Sequence, residues 1–271
     1  MPANIEWMKT DPIEELRRRG EIVFTADGAL IVGGLPLKLL QWIDAQLLQL
    51  GGTVREIQCP ALIERDFLEH ANYFESFPHG ATRVEAIQRS GLLAPAVCYH
   101  CFGILTNAHL ETPAEITCIG KCYRHENGTT DAVGRLWEFT MREFVFVATP
   151  EVVQQQRRDW IERARNFADS VGLKGKIEIA TDPFFGKTGR GRKLLQQIKE
   201  LKYEFSCAMP DGSKLALASF NLHETFFTSR FGITLTGAPA PHSACVAFGL
   251  ERWMLAVLAQ CGIEKAVQLC G

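Results

Sequence analysis

The sequence predicts an α+β fold, a mostly antiparallel or mixed sheet flanked by helices. Helical periodicity is concentrated near the start, middle and end, and the strand-like segments between them do not alternate regularly with helices. No G-x-G-x-x-G follows a strand, and no G-x-x-x-x-G-K-[ST] is present, so dinucleotide-binding and P-loop architectures do not fit. The 271 residues, 46% hydrophobic and 22% charged, suit one large core.

The first 34 residues read as an N-terminal extension. LPLKLLQWIDAQLLQL (35–50) places Leu37, Leu40, Ile43, Leu47 and Leu50 at helical spacing, and Gly51-Gly52 ends the run. Residues 53–63 read as a strand interrupted by Pro60. Residues 120–147 read as two strands joined by a loop over Asn127–Gly134. The helix over 149–172 has Thr149 as its cap, Pro150 at its first position and Gly172 at its end. A further helix begins at 191, within 191–205. Strands follow at 213–227 and 233–237, and a buried helix spans 248–262, ended by Gly262.

A net charge of −2 gives no global basic field for nucleic acid. No apolar run approaches the roughly 20 residues a bilayer span needs. The N-terminus has no apolar signal-peptide core, so the expected compartment is the reducing cytoplasm, with no membrane partner. Nine cysteines, an odd number in such a chain, argue for metal binding or plain burial over a disulfide framework.

The 120–147 hairpin is the informative segment. At a period of two, Cys122, Arg124 and Glu126 share one face of the first strand, and Arg135, Trp137, Phe139, Met141 and Glu143 share one face of the second. Such a surface suits a nucleotide. Arg124 can fork onto a phosphate, Phe139 can stack on a base, Glu126 can accept from an exocyclic amine, and Glu143 can hold an ammonium group. A solvated sheet face with surface ion pairs is the alternative.

The pattern Arg124-x-Glu126, a loop, then Arg135-x-x-x-Phe139-x-x-x-Glu143 resembles motif 2 of the class II aminoacyl-tRNA synthetases. AFGLERW (247–253) is similar to their motif 3, with Ala247 in place of a glycine. The helix 37–50, Gly51-Gly52 and the strand ending at Pro60 resemble motif 1, which forms the homodimer interface in that family. The resemblance implies the class II catalytic fold, an antiparallel sheet flanked by helices. It implies that Arg124 binds the α-phosphate of ATP, that Glu126 and Phe139 hold adenine, and that Arg135 and Arg252 bind the outer phosphates, Arg252 also covering the ring. Arg124 and Arg252 are the implied catalytic pair.

LKYEFSCAMPDGSKLALASFN (201–221) resembles the seryl branch, whose pattern Ser219 and Asn221 keep at the ATP site. A glutamate that helps hold Mg²⁺ in that branch is replaced by Leu215. LAPAVCYHC (93–101) and HSACVAFGLERW (242–253) resemble segments of the zinc-dependent, archaeal-type seryl enzymes. The implied Zn²⁺ ligands are Cys98, Glu143 and Cys245, with a fourth position open to an amino acid's amine and Glu143 beside it. The spacing Cys98/Cys101 with Cys118/Cys122 offers a rival, a closed four-cysteine knuckle, although Cys98 and Cys101 would face opposite ways on a strand.

The chain reads as one catalytic domain over 1–271 with no separate tRNA-binding domain. It therefore resembles the amino acid:[carrier protein] ligases, truncated zinc-dependent seryl-type synthetases. That resemblance implies activation of a small amino acid, glycine or alanine first and serine next, and loading onto a phosphopantetheinylated acyl carrier protein, with tRNA as the rival acceptor. A non-catalytic synthetase paralogue acting as a regulator is the reading from another class. The basic stretch 186–202, with Arg190, Arg192 and Lys193, would steer an acidic carrier, with RNA contact or a solvated helix face as alternatives.

Overall fold

The computed structural model describes residues 11–77, 80–124, 134–182 and 189–271. Glu126, most of the motif 2 loop and Lys187 lie outside them.

Asp11 caps α1 (Pro12–Arg18) through a 2.9 Å bond from Ile13 N to Oδ1, and a small ribbon follows, β1 (Ile22–Phe24) with β2 (Leu30–Val32). This segment packs on the core: Ile13, Leu16 and Ile22 are buried there, and the Gly28 carbonyl accepts from Trp137 N at 2.7 Å. Helix α2 (Gly34–Gly51) buries Pro36, Leu39, Ile43 and Leu47. Of the predicted stripe, Ile43 and Leu47 are buried and Leu40 and Leu50 pack against the core, but Leu37 is 38% exposed and Leu39 turns inward instead. As predicted, Pro60 splits the next strand, into β3 (Arg55–Gln58) and β4 (Leu62–Ile63).

Helices α3 (Arg65–His70) and α4 (Tyr73–Ser76) precede the hairpin β5 (Arg83–Ala86) and β6 (Arg89–Leu93). The CYHC segment forms helix α5 (Cys98–Ile104), not a strand. After β7 (His109–Leu110) come the long hairpin strands β8 (Ala114–Tyr123) and β9 (Glu138–Ala148). Helix α6 (Pro150–Val171) starts and ends where predicted. Thr149 takes the cap position in extended backbone without a side-chain cap bond, and Gly172 closes it at φ 88. Then come β10 (Gly175–Ile179), α7 (Gly189–Ile198), β11 (Lys202–Ala208), β12 (Lys214–Glu224), α8 (Phe226–Arg230), β13 (Thr234–Leu235), β14 (His242–Gly249) and α9 (Leu250–Cys270). The stretch 191–205 thus begins as a helix, as predicted, and continues as a strand, while the predicted 213–227 strand ends early. Gly262, at φ 82 and ψ 174, breaks α9 as predicted, but helix resumes beyond it.

Seven strands pair in the order β10-β11-β12-β14-β9-β8-β3, all antiparallel except β3 with β8. One face is dry. Phe144, Phe146, Phe205, Phe220, Val246 and Phe248 pack under α2, α6 and α9, with Trp160 and Trp253 wholly buried. Period-two alternation sends the intervening residues to the other face, which is partly covered by α5 and α8 and otherwise opens into a cavity.

Arg142 is the exception on the dry side. Its guanidinium, 2% exposed, pairs with Asp44 of α2 and with Glu56 of β3 at 2.9 Å, and donates to Thr117 Oγ1 at 3.2 Å. It ties α2 and the sheet's parallel edge to the central hairpin. Arg142→Met should lower the unfolding free energy by about 3 kcal/mol, near the lower end for breaking a buried ion pair because both acids keep some access to water. Urea denaturation checks this, and a loss below about 1 kcal/mol would show the network to be decorative.

Candidate active site

The wet face of β11, β12, β14 and β9, roofed by α4, α5 and α7, encloses a cavity of about 1060 Å³. Register lines up its floor. Cys122 pairs with Phe139 and Cys118 with Glu143 on one side of β9; Ala247 sits opposite Glu143, and Cys245 opposite Asn221. The two faces of the hairpin therefore coincide.

At the deep end, Cys98, Glu143 and Cys245 bring their ligand atoms within 4.8 Å of one another, all buried. Glu143 Oε2 also accepts from Cys98 N at 2.7 Å, which ties β9 to the start of α5. Burial raises the pKa of Glu143. The Cys98 thiol is pushed well up, first by its hydrogen bond with Cys245 and then by burial. Three acidic donors crowded away from water are compatible as anions only around a cation, and two sulfurs with one carboxylate suit Zn²⁺.

The four-cysteine alternative does not survive. Because 98–104 is helical, Cys98 meets Cys245 while Cys101, one turn on, meets Cys118, which also contacts Cys59. Cys122 is buried elsewhere in the same apolar cluster. Among the described residues, Cys98, Glu143 and Cys245 are the one such trio of metal-ligating side chains.

At the shallow end, the guanidinia of Arg124 and Arg252 lie 5.5 and 6.0 Å from the centre of the Phe139 ring. Arg124 Nε donates to the Pro95 carbonyl at 2.8 Å. Arg252 donates to the carbonyls of Gly134 (2.9 Å) and Ala216 (3.1 Å). The motif 3 acid Glu251, buried, accepts from Thr140 N and Oγ1 at 2.7 Å and so fixes the start of α9 against β9. Arg135 is exposed on the cavity wall. Leu215, 4% exposed, brings no oxygen to the cavity. It fills the space beside Gly134, where a Cβ would come within 2.8 Å of it at φ 88.

Asn221 Nδ2 donates to Cys245 Sγ at 3.4 Å and to Ser219 Oγ at 3.2 Å, so this pair lies toward the thiol end of the cavity. Arg192 does not stand clear as a docking residue. It bonds Glu75 at 2.5 Å and Ser76 Oγ at 2.8 Å on the cavity rim. Arg190 is exposed and Lys193 half-buried on the same helix.

Sequence reasoning missed a polar group on the cavity wall and one histidine. Lys202 bridges Asp182 at 2.6 Å and Glu204 at 3.0 Å, and Gln196 of α7 donates to Asp182 at 2.8 Å. His223 approaches the Cys245 sulfur at 3.5 Å; burial pushes its pKa down to about 3. The period of two from Asn221 to His223 was the available signal; the Asp182–Lys202 pairing left none.

Burial alone would raise Asp182, but Lys202 and Gln196 beside it hold the carboxyl below its usual range. A depressed carboxylate stabilises the fold above its unfolded value, about 3.9, and gives that up as pH falls through its folded value. Urea denaturation at stepped pH should show wild-type stability falling faster below about pH 4 than that of Asp182→Asn. Parallel curves would refute the pairing.

The tRNA synthetase class II core domain (G, H, P, S and T) matches residues 84–261. Amino acid--[acyl-carrier-protein] ligase 1 of Bradyrhizobium diazoefficiens is 29% identical over 229 residues, 74% of this chain and 70% of that protein. A type-2 serine--tRNA ligase of Methanopyrus kandleri is 28% identical over 188 residues, 64% of this chain but 35% of that one. The structure of M. kandleri SerRS in complex with A. aeolicus tRNASec superposes with a TM-score of 0.82 at 23% identity, covering 96% of this chain and 60% of that one. On the motifs, the sheet and this match together, the chain belongs to the class II tRNA synthetase core family.

Proposed function

We propose that this chain is an ATP-dependent ligase that activates a small amino acid and passes it to the phosphopantetheine thiol of an acyl carrier protein. One observation carries the reading. A buried trio of metal-ligating side chains and an aromatic ring flanked by two arginines share one cavity. That is an amine site beside a nucleotide site. The Bradyrhizobium relative supports the carrier as acceptor.

Cys98, Glu143 and Cys245 would hold Zn²⁺, which when bound supplies an open Lewis-acid position for the substrate's amino group. Phe139 offers a face for adenine, Arg252 covers the base and reaches the outer phosphates with Arg135, and Glu126 receives the exocyclic amine. Arg124 lies at the α-phosphate. An oxygen of the amino acid's carboxylate attacks the α-phosphorus, the bond to the bridging oxygen breaks, and pyrophosphate leaves. Arg124 stabilises the charge that builds on the phosphorus oxygens. The pantetheine sulfur then attacks the acyl carbon, the bond to AMP breaks, the thiol proton passes to solvent, and AMP leaves. Mg²⁺ accompanies ATP in this family, and the Leu215 side chain offers it no ligand. With the amine fixed between two thiols and a carboxylate, glycine and alanine are the preferred substrates and serine the next, with mixed activation because a methyl group discriminates by only about 1–3 kcal/mol. The active form is a homodimer built through α2 and β3.

Amino-acid-dependent pyrophosphate exchange tests the first half. Arg124→Ala and Arg252→Ala should each lose about 100-fold or more, about 3 kcal/mol, with the fold intact. Near-normal exchange in either variant removes the nucleotide assignment. Loading of a phosphopantetheinylated carrier against tRNA charging tests the second half, since the serine--tRNA ligase relative supports the rival acceptor. tRNA charging that equals or exceeds carrier loading selects the rival. Arg190→Glu with Lys193→Glu should impair loading and spare exchange; Arg192 is left out because its loss would disturb the cavity rim.

Metal analysis tests the zinc. Cys98→Ser and Cys245→Ser should lose stoichiometric Zn²⁺, while Cys101→Ser and Cys118→Ser keep it. The opposite pattern overturns the assignment.

A further inference from the structure

His223 occupies an irregular point in β12. Leu222 pairs with Ala244 and Glu224 with Ser243, so His223 is the extra residue of a β-bulge. Glu224 beside it takes a left-handed backbone, φ 52, which a side chain with a Cβ rarely adopts; two bonds to Lys199 Nζ, at 2.8 and 3.0 Å, anchor it. The bulge leaves His223 without a cross-strand partner, on the cavity face it shares with Asn221.

The ring reaches two partners. Its Nε2 lies 3.5 Å from Cys245 Sγ, and its Nδ1 lies 3.3 Å from the hydroxyl of Ser243, which is wholly buried. Phe227 meets the ring edge-on at 4.7 Å and Phe102 at 5.8 Å, so it has little room to turn away. His223 is not one of the three side chains whose donor atoms lie within 4.8 Å of one another, so it stands outside the ligand trio while touching one member. Asn221 Nδ2 reaches the same sulfur at 3.4 Å.

We propose that His223 is a positioning residue for the metal centre: it donates Nε2–H to the Cys245 sulfur, with Ser243 donating to Nδ1 and so fixing the tautomer. The charge logic selects this direction. A thiolate ligand carries lone pairs only, so an unprotonated Nε2 would face it lone pair to lone pair. The Ser243 hydroxyl can rotate to donate, which leaves the ring proton on Nε2. Together His223 and Asn221 then give Cys245 two N–H donors. These spread part of the sulfur's charge, hold the side chain in its ligating rotamer, and leave Cys98 and Glu143 without equivalent imidazole support. Outer donors of this kind typically contribute 10–100-fold in metal affinity.

The inference rests on the zinc reading above, and the test separates the two. Full-length protein is stripped of metal and titrated with Zn²⁺ against a chromophoric chelator. Co²⁺ substitution reads the sulfur-to-metal charge-transfer band. His223→Phe, which keeps a ring but no donor, should bind Zn²⁺ about 10–100-fold more weakly and shift the Co²⁺ band. His223→Gln, whose amide can donate, should recover most of the affinity. If His223→Phe folds poorly, Ser243→Ala decides instead, with a several-fold weakening expected. Wild-type affinity and an unmoved band in His223→Phe, or in Ser243→Ala where that variant is used, overturn the proposal and leave the zinc reading standing. Wild-type protein that takes up neither metal overturns both.

Discussion

The structure turns on the side chain of Glu143. It is 2% exposed, in the middle of the central hairpin, and it faces two thiols. Burying a carboxylate in such company is unfavourable unless it stays protonated or a cation joins it. Its oxygen takes the Cys98 amide and so sets where α5 begins. Its main-chain carbonyl takes the Thr117 hydroxyl at 3.1 Å, which fastens β9 to β8. One strand thus assembles the roof, the floor and the charge of the deep end.

The preceding residue shows how the same strand builds the opposite face. Arg142 points into the dry layer, where Asp44 and Glu56 neutralise it. Phe144 and Phe146 continue that face beneath the helices, while Phe139 and Met141 continue the face of Glu143. A one-residue slip between β8 and β9 would exchange the two sets, sending a guanidinium into the cavity and a carboxylate under Trp160. Register and chemistry are therefore the same constraint here.

Much of this was legible from spacing. Period two put Phe139 and Glu143 on one face of the second hairpin strand, the pairing then brought that face beside Cys122, and helical periodicity with Pro150 and Gly172 bounded α6. Elements that depend on distant partners were not legible. CYHC is too short for its periodicity to distinguish helix from strand; the Glu143 contact at its first amide goes with the helix. Arg192 counts as a bare positive charge in the sequence, and only the fold brings it to Glu75, 117 positions away. Asp182 and Lys202 are unremarkable apart, and although alternation carries His223 to the face of Asn221, the bulge there has no glycine to announce it. The stripe on α2 slipped from Leu37 to Leu39 because a run so rich in leucine offers several inward faces.

The segment before α2 reads as an appendage and is built as a clamp. Its α1 buries Ile13 and Leu16 in the main core, and the tip of its ribbon holds the amide of Trp137, two residues before the ring that Arg124 and Arg252 flank. A proteolytic nick in this ribbon would leave the seven-stranded sheet intact on paper, yet it would loosen the wall of the cavity from behind. Any piece of this chain that keeps that wall supported has to include α1 and its cap, Asp11, well ahead of the first helix that the motif pattern marks.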